Sequence, residues 1–325
     1  MRLVIDTHCD TPGRLLCGAD LSVRGTDGHF DYPRMADGGV DCEFFALYTP
    51  NDMAPDVALR TVMEMAGAVK DSIAATAGVR LALSSSEIIE NKRNGIRSIA
   101  MGLENAAPLG KSLGLLREMY RMGVRYVTLT HNGNNEVCDA ALAAEERWHG
   151  LSPFGKEFVS EMNRMGMLVD VSHVSDKSFY DVLEHSFAPV VATHSCCRAL
   201  SDHPRNMDDD MIRALAERGG VVQVNFYPLF LDAGRDKAKP SYKRVADHID
   251  HVVGIAGVES VGIGSDFDGI DCTPAGLEDI SRLPVLFSEL SLRGYSENEL
   301  DMIAGGNFLR VMKAVEEAKT VKLHE

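Results

Sequence analysis

The sequence predicts an α/β fold, a (β/α)8 TIM barrel formed as a single domain over residues 1–325 with a C-terminal helix. Eight short apolar, β-branched segments recur along the chain, and segments with helical spacing separate most of them. The length of 325 residues suits one barrel, because such barrels typically need about 250 residues. The first strand leads into DTHCDTPG, which lacks the GxGxxG fingerprint of an open dinucleotide-binding sheet. Together these observations favour a closed barrel.

The eight strands are predicted from apolar runs that continue without alternation, as is typical of parallel strands buried on both faces. In chain order they are LVID (3–6), CEFFALY (42–48), SIAMGL (98–103), VRYVTLT (124–130), MLVDVS (167–172), PVVAT (189–193), GVVQVNF (220–226) and SVGIGS (260–265). Each run has the length of an ordinary strand. The order of strand and helix along the chain therefore predicts repeated βα units.

The segments between the strands place apolar residues three and four positions apart, which predicts amphipathic helices. The helical segments are 57–75, 113–123, 154–166, 176–186, 208–220 and 242–257. After the last strand, Ser296 and Glu299 predict a capping box at the start of a further helix, which we expect to pack on the outside of the barrel. Segment 20–39 has no clear period and predicts a long irregular loop.

The composition excludes several classes of function. A formal net charge of −15 disfavours nucleic-acid and anionic-membrane partners. No apolar stretch is long enough to span a membrane, and no secretion signal precedes the first strand, so we expect a cytoplasmic protein. The seven cysteines form no CxxC pair, which favours a reducing compartment. A thiolate ligand at Cys196 or Cys197 is conceivable, but small buried thiols are the better interpretation.

Acidic and imidazole side chains follow the predicted strands at equivalent positions. Reading each strand to its end finds His8 and Asp10 after the first, Glu104 after the third, His131 after the fourth, His173 after the fifth, His194 after the sixth and Asp266 after the eighth. A lone histidine or carboxylate at a strand end is usually structural. Seven such groups would converge on the mouth of one barrel, where barrel enzymes place their active sites.

A cluster of carboxylates and imidazoles is hard to bury without a cation, because neighbouring carboxylates repel and lose solvation. His8 and Asp10 are two positions apart on an extended segment, so their side chains can chelate one ion. Glu104 can bridge that ion to a second one. Zinc is the expected metal, since imidazole and carboxylate together suit it.

The motifs that carry these residues resemble those of the membrane (renal) dipeptidase family, peptidase M19, along nearly the whole chain. In order they are IDTHCDTP, GLENA, TLTHN, HGLSPFGKEFVSEMNRMGMLVDVSHVS, PVVATHS, HPRNMDDD, VNFY, VADHIDHVVGIAG and GSDFDG. The resemblance implies a metal-dependent hydrolase barrel that cleaves dipeptides by a metal-bridging hydroxide and tolerates a D-residue at the C-terminal position. It also suggests a homodimer. Because secretion and lipid-anchor signals are missing, a soluble bacterial-type member is the closer picture.

The same resemblance implies two zinc ions per chain. His8 and Asp10 would bind the first ion, Glu104 would bridge, and His173 and His194 would bind the second.

The resemblance assigns the remaining roles as well. Asp266 in GSDFDG resembles the catalytic acid/base, with Asp268 as a less favoured alternative. His131 resembles a catalytic residue that contacts substrate and can donate to an oxyanion, and Arg205 resembles the partner of the substrate carboxylate. Phe230 stands where the renal enzyme carries a substrate-pocket tyrosine, so the pocket lacks a hydroxyl there.

Two other functions remain open at this point. An amidohydrolase-like barrel could act on a cyclic amide or a lactam, although many such enzymes carry His-x-His after the first strand and this chain has His8-x-Asp10. A barrel could also keep its metals without catalysing any reaction, because a fold does not determine a function.

Overall fold

The structure is a computed structural model that describes residues 2–232 and 240–320. Within these ranges nine parallel strands form one sheet. The strands are β1 Ile5–Cys9, β2 Cys42–Tyr48, β3 Val79–Leu81, β4 Arg97–Glu104, β5 Val124–Thr128, β6 Leu168–Asp170, β7 Val191–Ser195, β8 Val221–Val224 and β9 Val261–Ile263. Eight of them, all but β3, overlap the eight segments predicted from the sequence.

The strand order β1-β2-β4-β5-β6-β7-β8-β9 follows the chain, as in a (β/α)8 barrel. Between the two ends of this series, Cys9 of β1 forms a parallel bridge with Phe267, shortly after β9. The nearly closed barrel confirms the predicted fold class. The carboxyl ends of its strands therefore surround one mouth.

Strand β1 contains an irregularity close to that mouth. Asp6 pairs with Glu43 and Cys9 pairs with Phe45, so β1 contains one residue more than β2 between these two pairs. An extra residue of this kind is a β-bulge, which re-aims side chains and is common at barrel rims. His8 lies within this irregular stretch, and its Nε2 is 3.5 Å from Oδ2 of Asp10 at the mouth.

Thirteen α-helical segments lie in the described part of the chain. They are α1 Pro12–Leu16, α2 Tyr32–Asp37, α3 Pro55–Ala74, α4 Ser85–Arg93, α5 Leu113–Met122, α6 Pro153–Met165, α7 Asp176–His185, α8 Asp209–Glu217, α9 Pro228–Leu231, α10 Tyr242–Ala256, α11 Leu283–Leu292, α12 Glu297–Asp301 and α13 Asn307–Ala318. All six predicted helices are present, and the capping box of Ser296 and Glu299 begins α12. None of the described helices is long and apolar enough to cross a membrane.

Several elements differ from the sequence prediction. Helix α2 lies inside the predicted loop 20–39, where the Asp31 side chain caps it by accepting from the Arg34 backbone N–H. Helices α4 and α11 have no counterpart among the predicted segments. The three-residue strand β3 pairs only with the start of β4, before β5 becomes the neighbour of β4 from Met101 onward. A run this short carries no periodic signal.

The C-terminal helix α13 closes the amino-terminal end of the barrel rather than packing on its side. Phe308 of α13 shares an apolar cluster with the early residues of seven barrel strands, which can meet only in the barrel interior. Its ring packs edge-on against Phe44, and Phe44 stacks in turn on Tyr126. The Tyr126 hydroxyl reaches His8 at the mouth. A packed column therefore connects the closed end to the candidate site.

Candidate metal centre and active site

The structure brings the predicted metal ligands together at the carboxyl end of the barrel. One ligand atom from each member of three overlapping groups lies within 4.8 Å of the others in its group. The groups are His8 with Glu104 and His194, Glu104 with His131 and His173, and His8 with Asp10 and Asp266. Seven residues from six separate segments of the chain thus meet in one cluster.

Glu104 lies between two groups of the predicted ligands and offers one oxygen to each. Its Oε1 is 3.1 Å from Nε2 of His173 and 3.6 Å from Nε2 of His194. Its Oε2 is 3.5 Å from Nε2 of His8, which is itself 3.5 Å from Oδ2 of Asp10. A carboxylate with imidazole nitrogen near each of its oxygens has the arrangement of a bridging ligand.

Polar neighbours hold the three imidazoles with Nε2 facing the cluster. The Nδ1 atom of His173 contacts Oδ1 of Asn132 at 2.9 Å, an oxygen that can only accept, so Nδ1 carries the proton and Nε2 a lone pair. Nδ1 of His8 lies 2.9 Å from the Tyr126 hydroxyl. Nδ1 of His194 lies 2.9 Å from the hydroxyl of Thr193. Outer contacts of this kind orient metal-binding histidines.

The electrostatics of the cluster fit cations. Burial and nearby cationic groups hold the pKa values of His173 and His194 well below the usual value, so both rings are neutral. Their Nε2 atoms are nevertheless only 2.9 Å apart. Burial would lower the pKa of His8, but the carboxylates of Glu104 and Asp10 outweigh it and raise that pKa well above its usual value. Because the Thr193 hydroxyl donates to Asp170, it accepts from Nδ1 of His194, so Nε2 of His194 also has a lone pair. The cluster therefore combines facing lone pairs with surplus negative charge.

Two buried polar atoms in the cluster have no hydrogen-bond partner. They are Nε2 of His8 and Oδ1 of Asp10. Burial, followed by repulsion from Glu104, raises the pKa of Asp10 to about 6. An unsatisfied buried polar group costs roughly 1–3 kcal/mol. Divalent cations would satisfy these atoms and separate the facing lone pairs, so the residues present fit a metal pair.

Asp266 borders the first ligand set. Its Oδ1 lies 3.9 Å from Nε2 of His8, while its Oδ2 accepts a hydrogen bond from Nδ2 of Asn225 at 2.8 Å. Burial raises the pKa of Asp266 to about 6. Its backbone is left-handed, with φ 65°, an uncommon conformation that is often found at functional sites. By distance alone, Asp266 could either bind a metal or move a proton.

Asp268, the alternative base, accepts hydrogen bonds from three neighbouring residues of the protein. Its Oδ2 accepts from the Thr11 hydroxyl at 2.7 Å and from Nη1 of Arg14 at 2.9 Å, and its Oδ1 accepts from the backbone N–H of His29. Donors within the protein thus occupy both oxygens of this carboxylate. The geometry therefore favours Asp266 over Asp268 as the base.

His131 packs beside His173, one of the predicted ligands. Its ring centroid is 4.4 Å from that of His173 and 4.7 Å from that of Tyr48. Burial, with a further contribution from Arg205, lowers the pKa of His131 to about 3. The imidazole is therefore neutral near pH 7 and keeps one N–H to donate.

Arg205 and Phe230 lie together beside His194. Nη2 of Arg205 donates to the backbone carbonyl of His194 at 3.2 Å, and the Arg205 guanidinium carbon is 5.3 Å from the centroid of the Phe230 ring. Only 4% of Arg205 is exposed, yet its Nε has no partner. Burial lowers the pKa of Arg205 to about 10, so it stays charged near neutral pH.

A cavity of about 1090 Å³ opens at the cluster. Its wall includes site residues of the cluster, namely Asp10, Glu104, His131, His173, Phe230 and Asp266. It continues along residues 13–27 after β1 and residues 268–271 after β9. The large, partly apolar cavity with converging polar groups is the form expected of a substrate site.

Several residues that support the site were not predicted from the sequence. Asn132 directly follows His131, and Asn225 lies in the VNFY motif, so their positions gave a usable signal. Tyr126 lies within an apolar strand and could not be distinguished from core packing. The thiol of Cys196 donates to the backbone carbonyl of Asn225, and the thiol of Cys197 donates to that of His248. These contacts support the interpretation of both as ordinary buried thiols.

Comparison with known proteins gives a consistent result. A family model described as membrane dipeptidase (peptidase family M19) matches residues 2–324. Dipeptidase verJ from Clonostachys rogersoniana is 39% identical over 308 residues, which cover 91% of this chain and 78% of that protein. Dipeptidase tcpJ from Claviceps purpurea is 35% identical over 299 residues, which cover 89% of this chain and 70% of that protein.

The fold of this chain is also similar to that of a solved structure. A metallopeptidase from Rhodobacter sphaeroides, crystallised with a phosphinate mimic of the dipeptide L-Ala-D-Ala, has a TM-score of 0.90 and 28% sequence identity to this chain. The match covers 97% of this chain and 99% of that one. The family model, the relatives and the shared fold agree over nearly the whole length. The chain therefore belongs to the membrane dipeptidase family, peptidase family M19, a family of metallopeptidases that cleave dipeptides.

Proposed function

We propose that this protein hydrolyses dipeptides with the help of two zinc ions bound at the mouth of the barrel, and that it accepts a D-residue at the C-terminal position. The position of Glu104 is the observation that carries the proposal, because its Oε1 faces His173 and His194 while its Oε2 faces His8. A single ion at one oxygen would leave the ligand atoms at the other oxygen without a partner. The membership of the metallo-dipeptidase family points to the same activity.

In this proposal His8 and Asp10 hold one ion, His173 and His194 hold the other, and Glu104 bridges them. Imidazole nitrogen and carboxylate oxygen are the ligands that zinc takes in catalytic sites, where an open position remains for water or substrate. Two bound ions would lower the pKa of a water molecule between them and polarise the scissile carbonyl. Five protein ligands leave room for both.

The proton transfers fall to Asp266. Its Oδ2 is occupied by Asn225, which leaves Oδ1 directed at the cluster to accept a proton from water and to pass it to the departing amine. The burial that raises its pKa to about 6 suits a group that must both accept and donate protons near neutral pH. His131, neutral and next to the second ligand set, would donate its N–H to the oxyanion.

Arg205 would bind the terminal carboxylate of the substrate. It is a buried cation with a free Nε beside His194, and a guanidinium pairs well with a carboxylate. Phe230 would form the apolar wall next to this contact. Tolerance of a D-residue at that end is supported by the Rhodobacter sphaeroides metallopeptidase, which was solved with a mimic of L-Ala-D-Ala.

The test is hydrolysis by the zinc-loaded protein of a panel containing L,L-dipeptides, L,D-dipeptides and cyclic amides. We expect release of free amino acids from both dipeptide series and none from the cyclic amides. The same preparation after chelation is the matched control and should be inactive until zinc is restored. Failure on every dipeptide, with turnover of a cyclic amide, would establish an amidohydrolase instead. Failure on all substrates by the metal-loaded protein would favour a barrel without catalytic activity.

A further inference from the structure

The cavity extends well beyond the space that a small dipeptide needs. Its volume of about 1090 Å³ lies slightly above the upper limit of roughly 1,000 Å³ for pockets that hold drug-sized ligands. Besides the residues of the ligand cluster, the cavity is lined by Gly13 and Arg14 of helix α1 and by residues 17–20 and 23–27. This region comes from the βα segment after β1, most of which has no role in the proposed chemistry.

Gly13 contributes to this space. It lines the cavity as the second residue of helix α1, and an added Cβ would meet no atom within 4 Å. Its φ lies outside the left-handed region that favours glycine. Alanine is a better helix residue than glycine, so the helix itself does not need a glycine here. The missing side chain does leave the cavity wide next to Asp10.

Hydrogen bonds hold the wall around Gly13 in place. Nη1 of Arg14 donates to the Phe30 carbonyl and to Asp268, and its Nη2 donates to the Asp27 carbonyl, each at 2.9 Å. The loop passes so close to this guanidinium that a Cβ on Gly28 would lie 2.1 Å from its carbon atom. A wall fixed in this way has a defined shape and can select ligands by size.

The two ends of the site differ in chemistry. Arg205 lies beside His194, one of the proposed ligands of the second ion. Gly13 follows Asp10, one of the proposed ligands of the first ion, three residues later. A dipeptide whose terminal carboxylate sits at Arg205 and whose scissile bond sits at the ligand cluster must therefore place its N-terminal residue on the Asp10 side.

We propose that the part of the cavity lined by Gly13 and residues 17–20 and 23–27 is the subsite for the N-terminal side chain of the substrate, and that Gly13 makes it wide enough for bulky residues. The inference rests on the proposed dipeptidase function. It identifies the preferred substrates as dipeptides with a large first residue.

The test measures kcat/KM for two series, X-Ala and Ala-X, with X from Gly through Leu to Phe. In the wild-type protein we expect kcat/KM to rise with the size of X in the X-Ala series. The Gly13→Phe variant should lower the Phe-Ala to Gly-Ala ratio of kcat/KM at least about tenfold. Gly254→Phe is the matched control, because Gly254 is also an exposed helical glycine with open space at its Cβ and lies outside the cavity wall. It should keep the wild-type ratio.

Different results would overturn different steps. A wild-type preference for Gly or Ala at the first position refutes the wide subsite without any variant, so the test holds even if Gly13→Phe folds poorly. An unchanged ratio in a folded Gly13→Phe refutes the role of Gly13. A change in the Ala-X series instead would place this wall at the C-terminal residue. Absence of hydrolysis in both wild-type series would overturn the proposed function itself.

Discussion

Replacing Asp266 with asparagine should separate proton transfer from metal binding. Asparagine has nearly the same volume as aspartate and tolerates the left-handed backbone at this position, where φ is 65°. The amide oxygen can keep the 2.8 Å hydrogen bond from Asn225, which leaves the amide nitrogen on the side of His8. The variant should therefore fold normally while losing the group that accepts and returns a proton.

The expected decrease in kcat follows from the loss of the proton-transferring group alone. General acid–base catalysis contributes roughly 10²–10⁴-fold, so kcat should fall by about that factor, which corresponds to about 2.7–5.5 kcal/mol in the activation free energy. The metal content should stay near two per chain, because the five proposed ligands are unchanged. KM should change little, since the proposed carboxylate contact at Arg205 is intact.

The assay combines steady-state kinetics on one good dipeptide with elemental analysis of the same protein. Loss of about one metal ion per chain would refute the acid/base assignment, because it would make Asp266 a ligand, as its distance to His8 and Asp10 permits. Asp268→Asn is the control in the same loop and should affect kcat far less. If Asp268→Asn abolished turnover and Asp266→Asn did not, Asp268 would be the base.

The other predictions concern the carboxylate contact, the outer support of the ligands and the metals. Arg205→Ala should chiefly raise KM for free dipeptides, whereas the KM for dipeptide amides, which lack the carboxylate, should change little. Tyr126→Phe removes the hydroxyl that contacts His8 and should weaken zinc affinity about tenfold to a hundredfold by titration calorimetry, with the fold retained. Removal of metal by a chelator should lower Tm, because zinc at about 1,000 times its Kd stabilises the folded state by about 4 kcal/mol. Gly102→Ala would place a Cβ 2.0 Å from the Tyr126 ring and should reduce the free energy of unfolding by about 1–3 kcal/mol in chemical denaturation.

Each of these predictions can fail on its own. Equal KM effects on acids and amides would remove the carboxylate role of Arg205. Undiminished zinc affinity in Tyr126→Phe would mean that the hydroxyl does not orient His8. An unchanged Tm after complete metal removal would show that the ligand cluster is stable without cations. A fully stable Gly102→Ala protein would show that Tyr126 can move at little cost.

Much of the fold follows from local sequence patterns. Strand β2 and helix α6 were predicted to within a few residues, because a run of apolar residues and a period of 3.6 are both visible in a short window. Helix α2 was missed because its six residues are too few to show a period, although Asp31 caps it. The closure of the amino-terminal end of the barrel by α13 depends on an apolar cluster that joins Phe308 to residues from seven strands, which no local window contains.

The candidate site was likewise predicted in part from the sequence, and the remainder depends on the tertiary structure. The sequence alone determined that His8, Asp10, Glu104, His173 and His194 follow barrel strands, and in a barrel this places them at one mouth. Only the tertiary structure decided that the two oxygens of Glu104 face different imidazoles, that Asn225 holds Asp266, and that Gly13 opens the cavity. The physical reason is that distances of a few ångströms between distant segments depend on strand register, on the bulge in β1 and on side-chain packing, which arise only when the barrel closes.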